Sequence, residues 1–230
     1  MEAKPGTPAT LMVVRFQVNV GETFNPFLEN TYLVVDLASK TALLIDPGAP
    51  DPPIDDYIAQ HGLRLRAILN THGHSDHVGG NEYYARKFEV KAYALRQDRP
   101  LMMTDPALMV FLDQAGPMDL GGIEMRLLHV PGHTPGSVCY CIQGLLFSGD
   151  TLFRGSIGLG WGTTTAEREN SLRQEIEGIK QQLLTLPADT QVYPGHEEGT
   201  TIGAERTNNP FLGPVNSHPV VPKTATPADH

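Results

Sequence analysis

The sequence predicts a mixed α/β fold in which two layers of β-sheet carry helices on their outer faces. Three observations predict it. Short apolar runs of strand length alternate with helical segments in both halves of the chain. The segment 167–186 places Leu172, Ile176, Ile179 and Leu183 at i, i+4, i+7 and i+11, one apolar face at helical period. Of 230 residues, 40% are hydrophobic and 19% charged, which is enough to bury a core and excludes disorder throughout.

The elements follow in order. Residues 1–10 are rich in Pro, Gly and Thr and are expected to be loose. The run 11–20, LMVVRFQVNV, reads as a β-branched strand. TYLVVD (31–36) and TALLID (41–46) are two apolar runs separated by a short polar link, a hairpin signal. Asp46-Pro47-Gly48 then forces a turn. A short helix is expected over 53–61, a strand over 65–70, a helix over 81–88 and a strand over 90–94. The segment 96–120 is punctuated by Met and Pro and reads as neither state. Its Met102, Met103 and Met109, with Met118, are expected to pack, or to form a flexible lip. Three closely spaced strands are expected at 122–130, 137–143 and 145–150. Within 137–143, Cys139 and Cys141 share a face with Ser137 and oppose Val138, Tyr140 and Ile142, so they read as small buried residues. Two capping boxes, Thr164-x-x-Glu167 and Ser171-x-x-Gln174, compete for the start of the long helix. A last strand is expected over 190–195. The chain thus reads as one domain over 1–230, with a core of about 11–212 and a Pro-rich tail over 213–230.

Charge and composition exclude several roles. With 17 basic and 26 acidic residues the net charge is −9, which argues against nucleic acid or an anionic membrane as partner. No apolar run approaches the ~20 residues a transmembrane helix needs, and no signal peptide is expected from the N-terminal residues. Two cysteines with no such leader point to a reducing, cytoplasmic setting.

The histidines carry the chemistry. Five of nine sit in three Gly-bounded turns, each after an apolar run: Thr71-His72-Gly73-His74-Ser75-Asp76-His77, Pro131-Gly132-His133-Thr134-Pro135-Gly136 and Tyr193-Pro194-Gly195-His196. A fourth turn, Ser148-Gly149-Asp150-Thr151, offers a carboxylate. Loops at strand ends converge in space while far apart in sequence. The remaining histidines, His61, His129, His218 and His230, stand alone and read as surface or hydrogen-bonded residues. Imidazole and carboxylate suit zinc, iron and manganese. His72, His74, Asp76, His77, His133, Asp150 and His196 are too many donors for one tetrahedral ion. They suffice for two divalent ions if one carboxylate bridges them, a pairing that generates a hydroxide nucleophile near neutral pH.

HGHSDH, followed by PGHTPGS, SGDTLF and YPGH, resembles the metallo-β-lactamase superfamily, and its order and spacing resemble the glyoxalase II-like hydrolase branch. The similarity covers residues 15–212. It implies an αββα sandwich with two metals, zinc in the first instance and iron or manganese as alternatives, at one edge. It implies further that His72, His74 and His133 hold the first metal, Asp76, His77 and His196 the second, and that Asp150 bridges them. Asp76 and Asp150 are then the carboxylates of the catalytic centre. The flavodiiron branch resembles H-x-E-x-D-H, where this chain has His74, and RNA-processing members usually add a basic arm. Thr200-Thr201-Ile202-Gly203 with Glu205-Arg206 and Asn209-Pro210-Phe211 is similar to the short glyoxalase II-type proteins, which lack the glutathione-binding helical extension. Leu159-Gly160-Trp161-Gly162 stands where that family usually has an Arg-Thr-Asp stretch. Arg154 and Trp161 become the candidate substrate contacts. The implied activity is hydrolysis of a small-molecule thioester, above all an acyl-glutathione such as S-lactoylglutathione. The alternatives are a mononuclear-iron persulfide dioxygenase using His72, His133 and Asp150, a hydrolase of another small ester, lactone or lactam, and a metal-binding module without catalysis.

Overall fold

The computed structural model describes residues 11–21 and 27–213. The expectations for residues 1–10, for the tail beyond 213 and for His218 and His230 lie outside the described residues.

The first half of the chain builds a six-stranded sheet: β1 (Leu11–Asn19), β2 (Leu28–Asp36), β3 (Thr41–Ile45), then helix α1 (Pro52–Gln60), β4 (Arg64–Leu69), the one-turn α2 (Ser75–Val78), α3 (Asn81–Phe88), β5 (Ala92–Leu95) and β6 (Met109–Leu112). The strands lie in chain order, with β1, β2 and β3 antiparallel and β3 to β6 parallel. The second half follows with β7 (Pro117–Leu120), β8 (Ile123–His129), β9 (Val138–Ile142), β10 (Leu145–Gly149), the small pair β11 (Leu152–Phe153) and β12 (Ser156–Ile157), α4 (Thr165–Gly178), β13 (Gln191–Pro194), β14 (Thr200–Thr201) and α5 (Ile202–Asn208). Its six-stranded sheet runs β14-β13-β10-β9-β8-β7.

Strand alternation decides which layer each side chain enters. On β2, Tyr32 and Val34 face the second sheet, where they meet Tyr140, Ile142 and Phe147, while Leu33 and Val35 face Ile54, Ile58 and Tyr84 on α1 and α3. On β9, Val138, Tyr140 and Ile142 enter the same inter-sheet core, and Cys139 and Cys141 point the other way, toward Ile179, Leu183 and Ile202. Strands buried on both faces lose polar alternation, which is why β2 and β3 read as continuous apolar runs. Each fully buried large side chain contributes ~1.5–3 kcal/mol, and three such layers give the αββα sandwich.

Three local expectations are modified. The 167–186 helix starts two residues earlier, because the Thr164/Glu167 capping box forms in full, and it does not continue as one α-helix. A π turn over Ile179–Leu183 follows, closed by Leu184 N–H donating to the Ile179 carbonyl at 2.9 Å, and it keeps Ile179 and Leu183 buried against β9 and β10. The unassigned 96–120 segment contains two strands, β6 and β7, separated from β5 by short 3₁₀ turns. They were hidden because they are four residues long and half-buried at sheet edges. The methionines there divide: Met109 is buried, Met102 and Met118 are half-buried, and Met103 is exposed.

Candidate metal centre

The histidine turns meet because they leave the C-terminal ends of strands at one edge of the sandwich. Thr71 to His77 follow β4, His133 follows β8, Asp150 follows β10, and His196 follows β13. The glycines in these turns are required by crowding. A side chain at Gly195 would collide with Asp150 Oδ1 and His77 Cε1, and one at Gly149 (φ +49) would enter Thr71 Oγ1.

The structure brings all seven expected donors together. His72 Nε2 and His133 Nε2 lie 3.1 and 3.0 Å from His74 Nδ1. Asp76 Oδ2 lies 3.3 Å from His196 Nε2 and 3.7 Å from His77 Nε2. Six of the seven form two trios, His72/His74/His133 and Asp76/His77/His196, with the donor atoms of each within 4.8 Å of one another, and Asp46, His72 and His77 meet the same distance. Asp150 reaches both. Its Oδ1 is 3.4 Å from His77 Nε2, and its Oδ2 is 3.7 Å from both His133 Nε2 and His196 Nε2.

Four of the five imidazoles are oriented by a partner on Nδ1. His77 Nδ1 donates to Asp46 Oδ2 at 3.2 Å, His133 Nδ1 to the Leu159 carbonyl at 3.2 Å, and His196 Nδ1 to the Leu28 carbonyl at 2.7 Å. His72 Nδ1 lies 3.1 Å from Thr71 Oγ1, whose own proton goes to Asp46 Oδ2 at 2.6 Å, so Thr71 accepts from His72. These partners orient the rings and aim their Nε2 atoms into the centre.

A cation fits this arrangement. A single hydrogen on His74 Nδ1 can point well at only one of its two nitrogen neighbours at 3.0–3.1 Å, so at least one pair of nitrogen lone pairs stands opposed without a cation. Donors ~2.0–2.1 Å from a shared tetrahedral ion stand about 3.3 Å apart, which matches the spacing here. Two buried atoms facing the centre, His77 Nε2 and Asp150 Oδ1, have no hydrogen-bond partner among the described residues.

Electrostatics differ between the trios. Burial pushes His72 below the usual histidine range and His133 down to about 4. Burial acts the same way on His77 and His196, but Asp150 and Asp76 outweigh it and raise both. Burial disfavours the Asp150 carboxylate, yet His77 and His196 outweigh that and hold it well below the usual range.

Several supporting residues were not singled out from the sequence. Asp46, read only as a turn residue, is buried with φ +47 and joins His77 to the Thr71 backbone and hydroxyl. Asp98 is buried in the segment left unassigned, and its carboxylate accepts from Gly73 N–H at 2.9 Å, Thr134 Oγ1 at 2.7 Å and Gly136 N–H. It ties the first histidine turn to the second. Asp preceding Pro-Gly at a strand end was the available signal for Asp46; Asp98 had none. Of the two candidate substrate contacts, Trp161 lies with its ring centroid 6.0 Å from that of His74. Arg154 is exposed and lines a separate hollow with Tyr193, Thr200 and Thr201, which none of the seven donors lines. Among the solitary histidines, His61 is held by the Tyr57 carbonyl at 2.9 Å and His129 by that of Pro135 at 2.9 Å. No helix among the described residues is long and apolar enough to cross a membrane.

Residues 24–196 match the metallo-beta-lactamase superfamily, and the chain belongs to that superfamily of metal-dependent hydrolases. It is 38% identical over 185 residues to a hydroxyacylglutathione hydrolase of Synechococcus sp., covering 75% of this chain and 66% of that protein. The chain therefore spans about two thirds of that relative's length. It is 32% identical over 205 residues to the probable metallo-hydrolase YqgX of Bacillus subtilis, covering 81% and 93% of the two chains. Among solved structures, the fold is similar to TTHA1623 in a di-iron-bound form, with a TM-score of 0.69 and 34% identity over 86% of this chain and 100% of that one.

Proposed function

We propose that this chain is a dinuclear metal-dependent hydrolase of thioesters, acting on an acyl-glutathione such as S-lactoylglutathione. The observation that carries the reading is Asp150, whose two oxygens face both donor trios. His72, His74 and His133 would hold one ion, and Asp76, His77 and His196 the other, with Asp150 shared. Divalent ions there, zinc first and iron or manganese as alternatives, would supply a water ionised near neutral pH and an electrostatic sink for the carbonyl oxygen.

The protein's own part is pre-organisation. Thr71, Asp46 and the carbonyls of Leu28 and Leu159 hold four imidazoles with Nε2 turned inward, so little reorganisation is needed during reaction. Water adds to the thioester carbonyl carbon, the C–S bond breaks, and a carboxylic acid and a thiol result. A thiolate leaves readily, so the site needs no separate strong acid. The thioester assignment draws support from the hydroxyacylglutathione hydrolase relative, and the iron alternative from the di-iron-bound one. Net charge −9 and the two reduced cysteines support a cytoplasmic enzyme with a small-molecule partner.

The test is metal content per chain, with parallel assays of S-lactoylglutathione cleavage and of oxygen uptake on glutathione persulfide. Two metals with thiol release and no oxygen uptake are expected. One iron with oxygen consumption would overturn the reading.

A further inference from the structure

Four large apolar side chains stand exposed around the candidate centre: Phe27 (43%), Leu28 (45%), Leu159 (36%) and Trp161 (39%). Among the described residues only three others of this kind are exposed, Leu37, Tyr83 and Met103. Single exposed apolar residues are ordinary; their concentration at one polar centre is not.

Their placement follows from the centre itself. The carbonyls of Leu28 and Leu159 orient His196 and His133, which places these two exposed residues beside the centre. The Phe27 ring centroid is 4.7 Å from that of His196, and Phe153 adds a second ring at 6.5 Å. On the opposite side, Trp161 N–H donates to the Gly132 carbonyl at 2.8 Å, which pins the loop that sets the indole near His74. Each trio thus has an apolar flank. Nearby cations are already engaged: Arg15 pairs with Glu198 and the Glu197 carbonyl, and Arg168 Nε donates to the Gly162 carbonyl at 2.8 Å.

We infer that the rim formed by Phe27, Leu28, Leu159 and Trp161 grades thioesters by the apolar area of their acyl group, so that lactoyl is cleaved but longer aliphatic or aromatic acyl groups are better substrates. The inference rests on the proposed thioester hydrolysis and narrows its substrate class. Selectivity comes from burying acyl carbon against the rim. Glutathione is one thiol carrier that satisfies it, since the rim acts on the acyl half.

Two measurements test it together. The first is kcat/KM for acetyl, lactoyl, butanoyl and hexanoyl thioesters of one thiol, glutathione. The second is the fluorescence of Trp161, the only Trp of the chain, titrated with the uncleavable thioethers S-methylglutathione and S-hexylglutathione. The expected rise in kcat/KM is roughly fourfold per methylene, the equivalent of ~0.8 kcal/mol per buried CH₂. S-hexylglutathione should perturb Trp161 at lower concentration than the S-methyl compound. Trp161→Ala should flatten the hexanoyl-to-lactoyl ratio, and Trp161→Phe should retain most of it. Cleavage of all four thioesters without preference, or with preference for lactoyl, overturns the inference and leaves thioester hydrolysis standing. Selective S-hexyl binding with no thioester cleaved overturns the hydrolase reading and leaves the apolar rim.

Discussion

The two donor trios share a carboxylate but sit in opposite electrostatic settings. His72 and His133 are buried among other imidazoles and stay neutral, so their lone pairs are available without displacing a proton. His77 and His196 face Asp76 and Asp150, and those carboxylates favour the protonated rings. A metal entering the second trio must compete with protons that the first trio does not hold. Asp150 couples the two, since each of its oxygens faces the second trio and one also faces His133.

The largest effect is expected at that coupling point. Asp150→Ala removes the shared anion, so metal content should fall at both positions and hydrolysis should fall beyond the ~100-fold that supporting residues cost. His133→Ala and His196→Ala should each remove one metal and leave the other. Elemental analysis of the three variants decides it. Full occupancy of two metals in Asp150→Ala would break the bridging assignment.

Supporting residues should separate the trios more finely. Asp46 accepts from His77 directly and from His72 through Thr71. Asp46→Asn is therefore expected to weaken metal affinity ~10–100-fold, with the second trio, which it touches directly, losing more. Among the described residues Asp98 makes no hydrogen bond to a donor imidazole, acts on His74 only through its charge, and ties the first two turns together. Asp98→Asn should cost ~1–3 kcal/mol of stability through a buried group left under-satisfied, with a smaller change in metal affinity. Chelator competition and thermal unfolding on both variants check the contrast, and equal loss of affinity would remove it.

Proton competition gives the next prediction. His77 and His196 have raised pKa values, so their stabilised, protonated state is present at low pH and lost as pH rises. His133 is lowered to about 4 and remains neutral through that whole range. As pH falls below neutrality, stoichiometry should drop from two metals to one before the remaining ion is lost. Calorimetry in buffers of different ionisation enthalpy should show more protons released on filling the second position. Simultaneous loss of both metals would show that Asp150 coupling outweighs the difference.

The convergence of the seven candidate donors was legible in the sequence because each sits in a short turn marked by glycine, and glycine is there because the turns crowd one another. The sheet layers were legible for the same local reason: i, i+2 alternation sorts Val138 from Cys139 without knowing what either one meets. What was not legible depends on non-local contacts. Asp98 matters only because Gly73, Thr134 and Gly136 arrive around it from distant positions. β6 and β7 pair at sheet edges and carry too few buried positions for a period to show. The π turn after Gly178 satisfies packing against Val130 and β9, which the 3.6-residue period alone does not report.

The smallest effect is expected at the edge of the first trio, and it reports on the loop rather than the metals. Glu167 Oε2 accepts from Thr163 N–H and Oγ1–H and from Thr164 N–H at 2.9–3.0 Å, completing the capping box that starts α4. The same turn abuts Gly162, next to Trp161, and the loop continues to Leu159, whose carbonyl orients His133. The Thr164 and Thr163 hydrogen bonds lower the Glu167 carboxyl from its ordinary 4.5 to about 2. A lowered carboxyl pKa stabilises the fold above the unfolded value and loses that contribution as pH falls through the folded one. The Tm difference between wild type and Glu167→Gln should therefore be present at pH 6 and shrink between about pH 4.5 and pH 2. Metal content of the second trio should not respond, because among the described residues the hydrogen bonds of Glu167 go to Thr163 and Thr164 and not toward Asp76, His77 or His196. A Tm difference that is constant with pH would assign the cap to neutral hydrogen bonding. Loss of the second metal in this variant would show that the trios are coupled through the loops as well as through Asp150.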